Sequence, residues 1–320
     1  MRPDDVRMRG FAHRARVADV WQWLQTHVLP LPAEQVPVTE AAGRVLAAAV
    51  TSELDVPGFT RAMMDGYALR AADTAGASPY NQVPLQVLGE SLPGRSACQA
   101  VAPGQAVRIM TGAPLPPGAD AVLPAEYVRD QVTSILAAQE VAPGKHVAVP
   151  GEDITAGTRV LASGRRLRPQ DWGVLASIGV GTVPVVRAPR VRIVVTGNEL
   201  LPPGSRPAGV QIVDSNSPML AALIQRDGGL VRHAGIVPDE PQQIAAAMGD
   251  DADVILVSGG SSVGQEDHAP RLLARDGEPV FHGLAMRPSS PAGLGRIGTR
   301  LVFLLPGNPV ADTDDAVVVI

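Results

Sequence analysis

The chain has 320 residues, 45% of them hydrophobic and 18% charged, with a net charge of −5. That length and apolar content give a folded chain with room for two or three domains and exclude intrinsic disorder. The acidic balance argues against a general nucleic-acid surface, which needs a basic excess to displace counterions, and no apolar run approaches transmembrane length.

In chain order, Met1-Arg-Pro-Asp-Asp-Val-Arg7 has no apolar core for a signal peptide, and a lone Cys98 in a loop-like stretch suits a reducing cytosol as an inert thiol. A cytoplasmic protein without membrane contact is expected. Residues 14–29 carry Val17, Val20, Trp21, Leu24 and Val28 at helical spacing, which predicts an amphipathic helix. A second helical pattern covers 39–48, with Thr39 as N-cap. From 54 to 139, Pro and Gly punctuate strand-sized runs at Val83–Val87, Ala106–Met110 and Ala121–Pro124, the pattern of a β-rich domain. Pro169 and Gly179 bracket a short helix. After Pro189 strands and helices alternate, which predicts an α/β domain on a mostly parallel sheet. The domain reading is 1–53 with 140–187 as a discontinuous helical/β domain, 54–139 as the β-rich domain, and 188–320 as the α/β domain.

Three apolar runs, Ile193–Thr196, Val254–Ser258 and Leu301–Leu305, each stop in a turn rich in Gly, Asn or Pro. In a parallel sheet ligands collect beyond the carboxyl ends of the strands, so these turns should share one crevice. Ser258-Gly-Gly-Ser-Ser-Val-Gly264, before a helix through Pro270–Ala274, offers close backbone amides and two hydroxyls, Ser261 and Ser262, to a phosphate. It lacks the Gly-Lys-Ser/Thr of a Walker loop. Glu199, Asp214, Asp239 and Asp267 fall near the same end, the hard oxygens that magnesium needs when it bridges phosphate to protein. For Asp214 and Asp239 helix capping is an equal alternative. The histidines are scattered without ligand spacing, so no structural zinc is expected. Upstream, Asp65-Gly66 forms an acidic turn and Thr111-Gly112 ends a strand. Residues alone thus give an α/β protein handling a phosphorylated ligand.

The chain resembles the molybdopterin molybdenumtransferase family, which includes the E domain of gephyrin. The resemblance rests on Met64-Asp-Gly-Tyr-Ala68, Ile109-Met-Thr-Gly-Ala-Pro114, Gly151-Glu-Asp153, Leu175-Ala-Ser-Ile-Gly179, Thr196-Gly-Asn-Glu-Leu200, Asp214-Ser-Asn216, Ser258-Gly-Gly260, Ser262-Val-Gly264 and Leu305-Pro-Gly-Asn-Pro309, in shared order from about Val17 to Val310. It implies an elongated multidomain homodimer that takes adenylylated molybdopterin and molybdate and releases AMP, with Mg²⁺ assisting. The crevice of one subunit would face the N-terminal domains of the other. Asp239 and Asp267 would hold the metal and, with Ser262, serve adenylate cleavage. Asp65 and Glu199 match activity-linked acidic positions. Thr111, Asp153, Thr196, Gly259, Gly260, Ser261 and Gly264 would contact the bound ligand. Arg287, Ser290, Pro306 and Pro309 complete that set. Two departures stand out: Ser290 replaces a lysine placed near the molybdate oxyanion, and Asn198 replaces a common acidic residue before Glu199. After Pro309 the family continues into a helix and a small C-terminal β domain, which this sequence is expected to lack. A non-catalytic pterin- or adenylate-binding scaffold is the alternative reading. A related adenylyltransferase is disfavoured by the long N-terminal half.

Overall fold

The computed structural model describes residues 13–95, 99–249, 251–260, 267–286 and 290–308. Cys98, Ser261, Ser262, Gly264, Arg287 and Pro309 lie outside them. The chain divides into two compact units, Gln35–Pro184 and the pair of segments Met1–Glu34 and Val185–Ile320. Its longer elements are α1 (Val17–His27), β1 (Gly66–Leu69), β2 (Val83–Ser91), β3 (Gln105–Ile109), β4 (Ala121–Pro124), β5 (Val128–Asp130), β6 (Ser134–Ala137), α2 (Pro169–Ser177) and β7 (Arg190–Thr196). There follow α3 (Asn216–Arg226), β8 (Leu230–Val237), α4 (Pro241–Met248), β9 (Val254–Ser258), α5 (Ala269–Asp276), β10 (Glu278–His282), β11 (Gly293–Ile297) and β12 (Arg300–Leu305).

The unit of residues 35–184 is built on a mixed six-stranded sheet in the order β4-β1-β3-β2-β6-β5. Its central strands are apolar on both sides because both sides are covered. Tyr67, Leu69, Ala121 and Leu123 enter one core, while Ala68, Val122 and Ile109 enter another. Gly66 is a steric requirement, since a Cβ there would stand 2.1 Å from the Leu123 carbonyl oxygen of the paired strand. Helix α2 opens with Pro169 as expected, and Gly179 closes it at φ +74°.

The second helical pattern does not form a helix. Val38–Glu40 is one 3₁₀ turn, and Gly43 takes φ +69°, outside the right-handed helical region. The backbone then pairs across to 165–167, through Gly43 N–H to Leu167 O and Leu46 N–H to Arg165 O. The apolar residues that gave 39–48 its helical period are used in that pairing.

The other unit is a three-layer α/β arrangement with the sheet order β8-β7-β9-β12-β11-β10. Strands β8, β7, β9 and β12 run parallel, while β11 and β10 are antiparallel additions. Alternation along β7 feeds both layers. Val191, Ile193 and Val195 pack with α3 residues Leu220 and Ile224, and Val194 packs with Ile244, Met248 and Leu272 of α4 and α5. Helix α1 packs in this unit. Val20 is buried in the core with Ile193 and Leu220, and Ala15 pairs with 283–285 through Ala15 N–H to Gly283 O and Ala285 N–H to Ala15 O. On that helix Trp23, not the expected Trp21, packs inward; Trp21 is 45% exposed. Residues 54–139 and 140–184 both lie within the compact unit Gln35–Pro184.

Candidate active site

Strand β7 connects through α3 to β8 on one side, then the chain returns through α4 to β9 on the other. This reversal opens a crevice at the carboxyl ends of β7 and β9, the usual place for a ligand in such sheets. The crevice encloses ≈ 420 Å³. Thr196, Glu199, Asp214, Asp239, Gly259, Gly260 and Asp267 line it, so seven residues singled out by sequence meet in one place. Gly307 lines it too, with Pro306 buried directly before it in the turn after β12.

Gly259 and Gly260 have φ +91° and +58°. A Cβ on Gly259 would stand 2.4 Å from Thr196 O, and one on Gly260 would stand 3.0 Å from Thr196 Oγ1. The close fit of this turn over the end of β7 therefore requires glycine, and the Gly259 N–H ties the turn to β12 by donating to Leu305 O at 3.3 Å.

The carboxylates divide by role. Asp214 is committed to α3: its Oδ1 accepts from Asn216 N–H and Ser217 N–H at 3.0 Å each, and its Oδ2 accepts from Ser217 Oγ–H. Capping is thus Asp214's work, and Ser215 at the N-cap position makes no side-chain cap bond. Asp239 does not cap α4. It exchanges two bonds with Asn198, whose N–H reaches Asp239 Oδ2 at 3.2 Å and whose Oδ1 accepts Asp239 N–H at 3.3 Å. The neutral Asn198 anchors Asp239 without adding a like charge beside it. Glu199, Asp239 and Asp267 remain as carboxylates facing the crevice, and no Arg, Lys or His is among its described lining residues.

Sequence reasoning gave no role to Asn216, which is 6% exposed at the start of α3. Its Nδ2 donates to Ser258 Oγ at 2.8 Å and Gly307 O at 3.1 Å, tying three turns together. The available signal was a polar residue opening a helix straight after a strand-end aspartate. Asn216 Oδ1 and Thr196 Oγ1 are buried and have no hydrogen-bond partner among the described residues. A buried polar atom left so costs about 1–3 kcal/mol, so it calls for an explanation.

The remaining expected residues lie elsewhere. Asp65 and Thr111, separate in sequence, meet in the unit of residues 35–184. Thr111 N–H and Oγ1–H both donate to Asp65 Oδ1 at 2.7 Å, and these bonds, the backbone one foremost, hold the carboxyl below its ordinary range. Asp153 pairs with Arg61 at 3.8 Å. Ser290 is not among the crevice's lining residues; with Arg14, Ala285 and Met286 it lines a second hollow of ≈ 290 Å³.

Comparison with known proteins agrees with this architecture. The profile described as MoeA N-terminal region (domain I and II) matches residues 15–179, and that described as probable molybdopterin binding domain matches residues 192–317. The molybdopterin molybdenumtransferase 2 of Mycobacterium tuberculosis is 40% identical over 285 residues, covering 86% of this chain and 70% of that protein. The molybdopterin molybdenumtransferase of Synechococcus elongatus is 36% identical over 295 residues, covering 89% and 73%. The crystal structure of the molybdopterin biosynthesis moeA protein from Pyrococcus horikoshii OT3 superposes with a TM-score of 0.83 at 33% identity, covering 96% of this chain and 77% of that one. Fold and crevice define a MoeA-type protein. The chain belongs to the molybdopterin molybdenumtransferase family.

Proposed function

We propose that this chain is the transferase that inserts molybdate into adenylylated molybdopterin with release of AMP, working as a cytoplasmic homodimer. One observation carries the reading: a crevice bordered by the Gly259–Gly260 turn is lined by the carboxylates of Glu199, Asp239 and Asp267 and by no cation among its described lining residues. A phosphorylated ligand enters such a site only with a metal ion between the two sets of negative charge. Among the described residues no group of three His, Cys, Asp or Glu side chains is placed to hold a metal by itself. Magnesium does not need one, because it binds through one or two carboxylates together with phosphate oxygens and water. Asp239 and Asp267 supply hard oxygens of that kind and fit it, with Glu199 beside them.

In this reading magnesium supplies charge withdrawal from the phosphoanhydride that joins AMP to the pterin phosphate. The protein does the rest. Asn198 fixes the orientation of Asp239. The glycine turn at 259–260 lets the phosphate come close to the chain, and Ser262 would add a hydroxyl donor to the negative charge that develops as a molybdate or water oxygen attacks phosphorus and AMP leaves. Thr196 and Pro306 shape the two walls. Asp65, Thr111 and Asp153, together with Arg287 and Ser290, are assigned to the same reaction by their positions in the family's motifs.

Molybdate-dependent AMP release from adenylylated molybdopterin tests this. Expected are turnover with Mg²⁺ and its loss with a chelator. Binding of the substrate without molybdate-dependent AMP release would leave only a scaffold or carrier.

A further inference from the structure

Strands β7 and β8 run parallel with Thr196 beside Val237, so two residues further on Asn198 comes to lie beside Asp239. There the Asn198 N–H donates to Asp239 Oδ2 at 3.2 Å, and Asn198 Oδ1 accepts the Asp239 N–H at 3.3 Å. Only an oxygen can accept that second bond, which fixes the orientation of the amide. Asp239 lines the crevice, while Asn198 is exposed and does not line it. Asp239 Oδ1 takes no hydrogen bond from the described residues and keeps its capacity for a cation. Aspartate at 198 could accept the same bond through the same atom, but it would set a second negative charge against Asp239. Shape does not separate the two residues here; charge does.

We infer that Asn198 is a positioning residue that aims Asp239 yet keeps the metal site one negative charge short, so that a divalent cation binds firmly only together with the phosphorylated ligand. The inference rests on the proposed magnesium-dependent reaction and deepens it. Two observations meet in it: the clamp on Asp239 is neutral, and the described residues place no group of three His, Cys, Asp or Glu side chains for a metal. The affinity of a hard cation rises with the number of charged oxygens around it and with the rigidity of the site. With few carboxylates the cation keeps water until phosphate oxygens replace it. Metal and ligand are then positively coupled, and by reciprocity each tightens the other by the same factor. The free chain leaves divalent cations in solution, and the ligand brings one in.

Manganese shares magnesium's preference for oxygen ligands and is read directly by electron paramagnetic resonance. The test titrates Mn²⁺ into the wild-type chain, Asn198→Asp and Asn198→Ala, each without and with saturating AMP. The wild type should bind Mn²⁺ at least about tenfold more tightly with AMP than without it. Asn198→Asp should bind Mn²⁺ alone at least about tenfold more tightly than the wild type, gain less from AMP, and rise further in melting temperature when Mn²⁺ is added. Asn198→Ala, which loses the Oδ1 acceptor, should bind Mn²⁺ with AMP roughly three- to tenfold more weakly, the range of one hydrogen bond. The opposite signs matter, because a residue that only supported the fold would weaken the site in both variants. Position 198 is exposed, so neither substitution opens the core. Equal Mn²⁺ affinity of the wild type and Asn198→Asp without AMP overturns the inference, as does a wild type that binds Mn²⁺ as tightly alone as with AMP. Unchanged Mn²⁺ binding by Asn198→Ala overturns the positioning role. In each of these cases the magnesium-dependent reading stands. A wild type that takes up no Mn²⁺, with or without AMP, defeats that reading together with this one.

Discussion

Asp171, in the unit of residues 35–184, and Asn216, in the α/β unit, are both polar side chains taken almost wholly out of water, at 3% and 6% exposure. Their surroundings differ. Asp171 accepts from Arg165 at 3.0 and 2.8 Å and from Arg168 N–H at 2.9 Å, and these bonds, chiefly the Arg165 guanidinium, hold its carboxyl far below the ordinary range. Asn216 satisfies its nitrogen and leaves its oxygen unpaired. A complete network supports a fold, whereas Asn216 leaves one buried acceptor without a partner among the described residues.

Substitutions can break this contrast, and the largest expected effect is on chemistry. Asp267→Ala should lower AMP release by about 10²–10³-fold, the range for removing a group that stabilises transition-state charge, with little change in melting. Full activity in that variant would end the assignment. Asp171→Ala should do the reverse, costing about 2–3 kcal/mol in denaturant unfolding with AMP binding unchanged. That is less than the 3–5 of a wholly buried pair, because Arg165 stays partly in water. Gly259→Ala should cost about 1–2 kcal/mol for its φ of +91° and its collision with Thr196 O, and should weaken nucleotide binding.

The smallest effect is on acid stability. The Asp171 carboxyl is depressed in the folded chain, so its contribution is fully present above the ordinary carboxylate range and is lost as pH falls toward the folded value. Acid unfolding followed at falling pH should therefore begin at higher pH in Asp171→Asn than in the wild type. Coincident acid transitions would deny Asp171 this role.

Much of this was legible because parallel strands are apolar on both faces and end in turns of distinctive composition. Ile193–Thr196, Val254–Ser258 and Leu301–Leu305 gave the sheet and its crevice, and Thr196, Glu199, Asp214, Asp239, Gly259, Gly260 and Asp267 gave seven of its lining residues. What periodicity could not separate was a helix from an apolar stretch used in cross-chain pairing, as at 39–48, where Gly43 turns left-handed and 165–167 supply the partner. Nor could it tell Trp21 from Trp23 on α1, since both fit a loose apolar stripe and only packing against the assembled core chooses. Asn216 stayed hidden because its importance lies in contacts with Ser258 and Gly307, residues remote in sequence.

The burial of Val20 among strands of the later half has a consequence for how the chain is made. Helix α1 leaves the ribosome early, yet the core that Val20 joins, with Ile193, Leu220 and Leu284, is translated only after the whole of 35–184. The intervening unit can complete its own core while α1 waits as an amphipathic segment with an unburied face. Chaperones and proteases thus meet this helix during synthesis, before the half-molecule that shelters it exists.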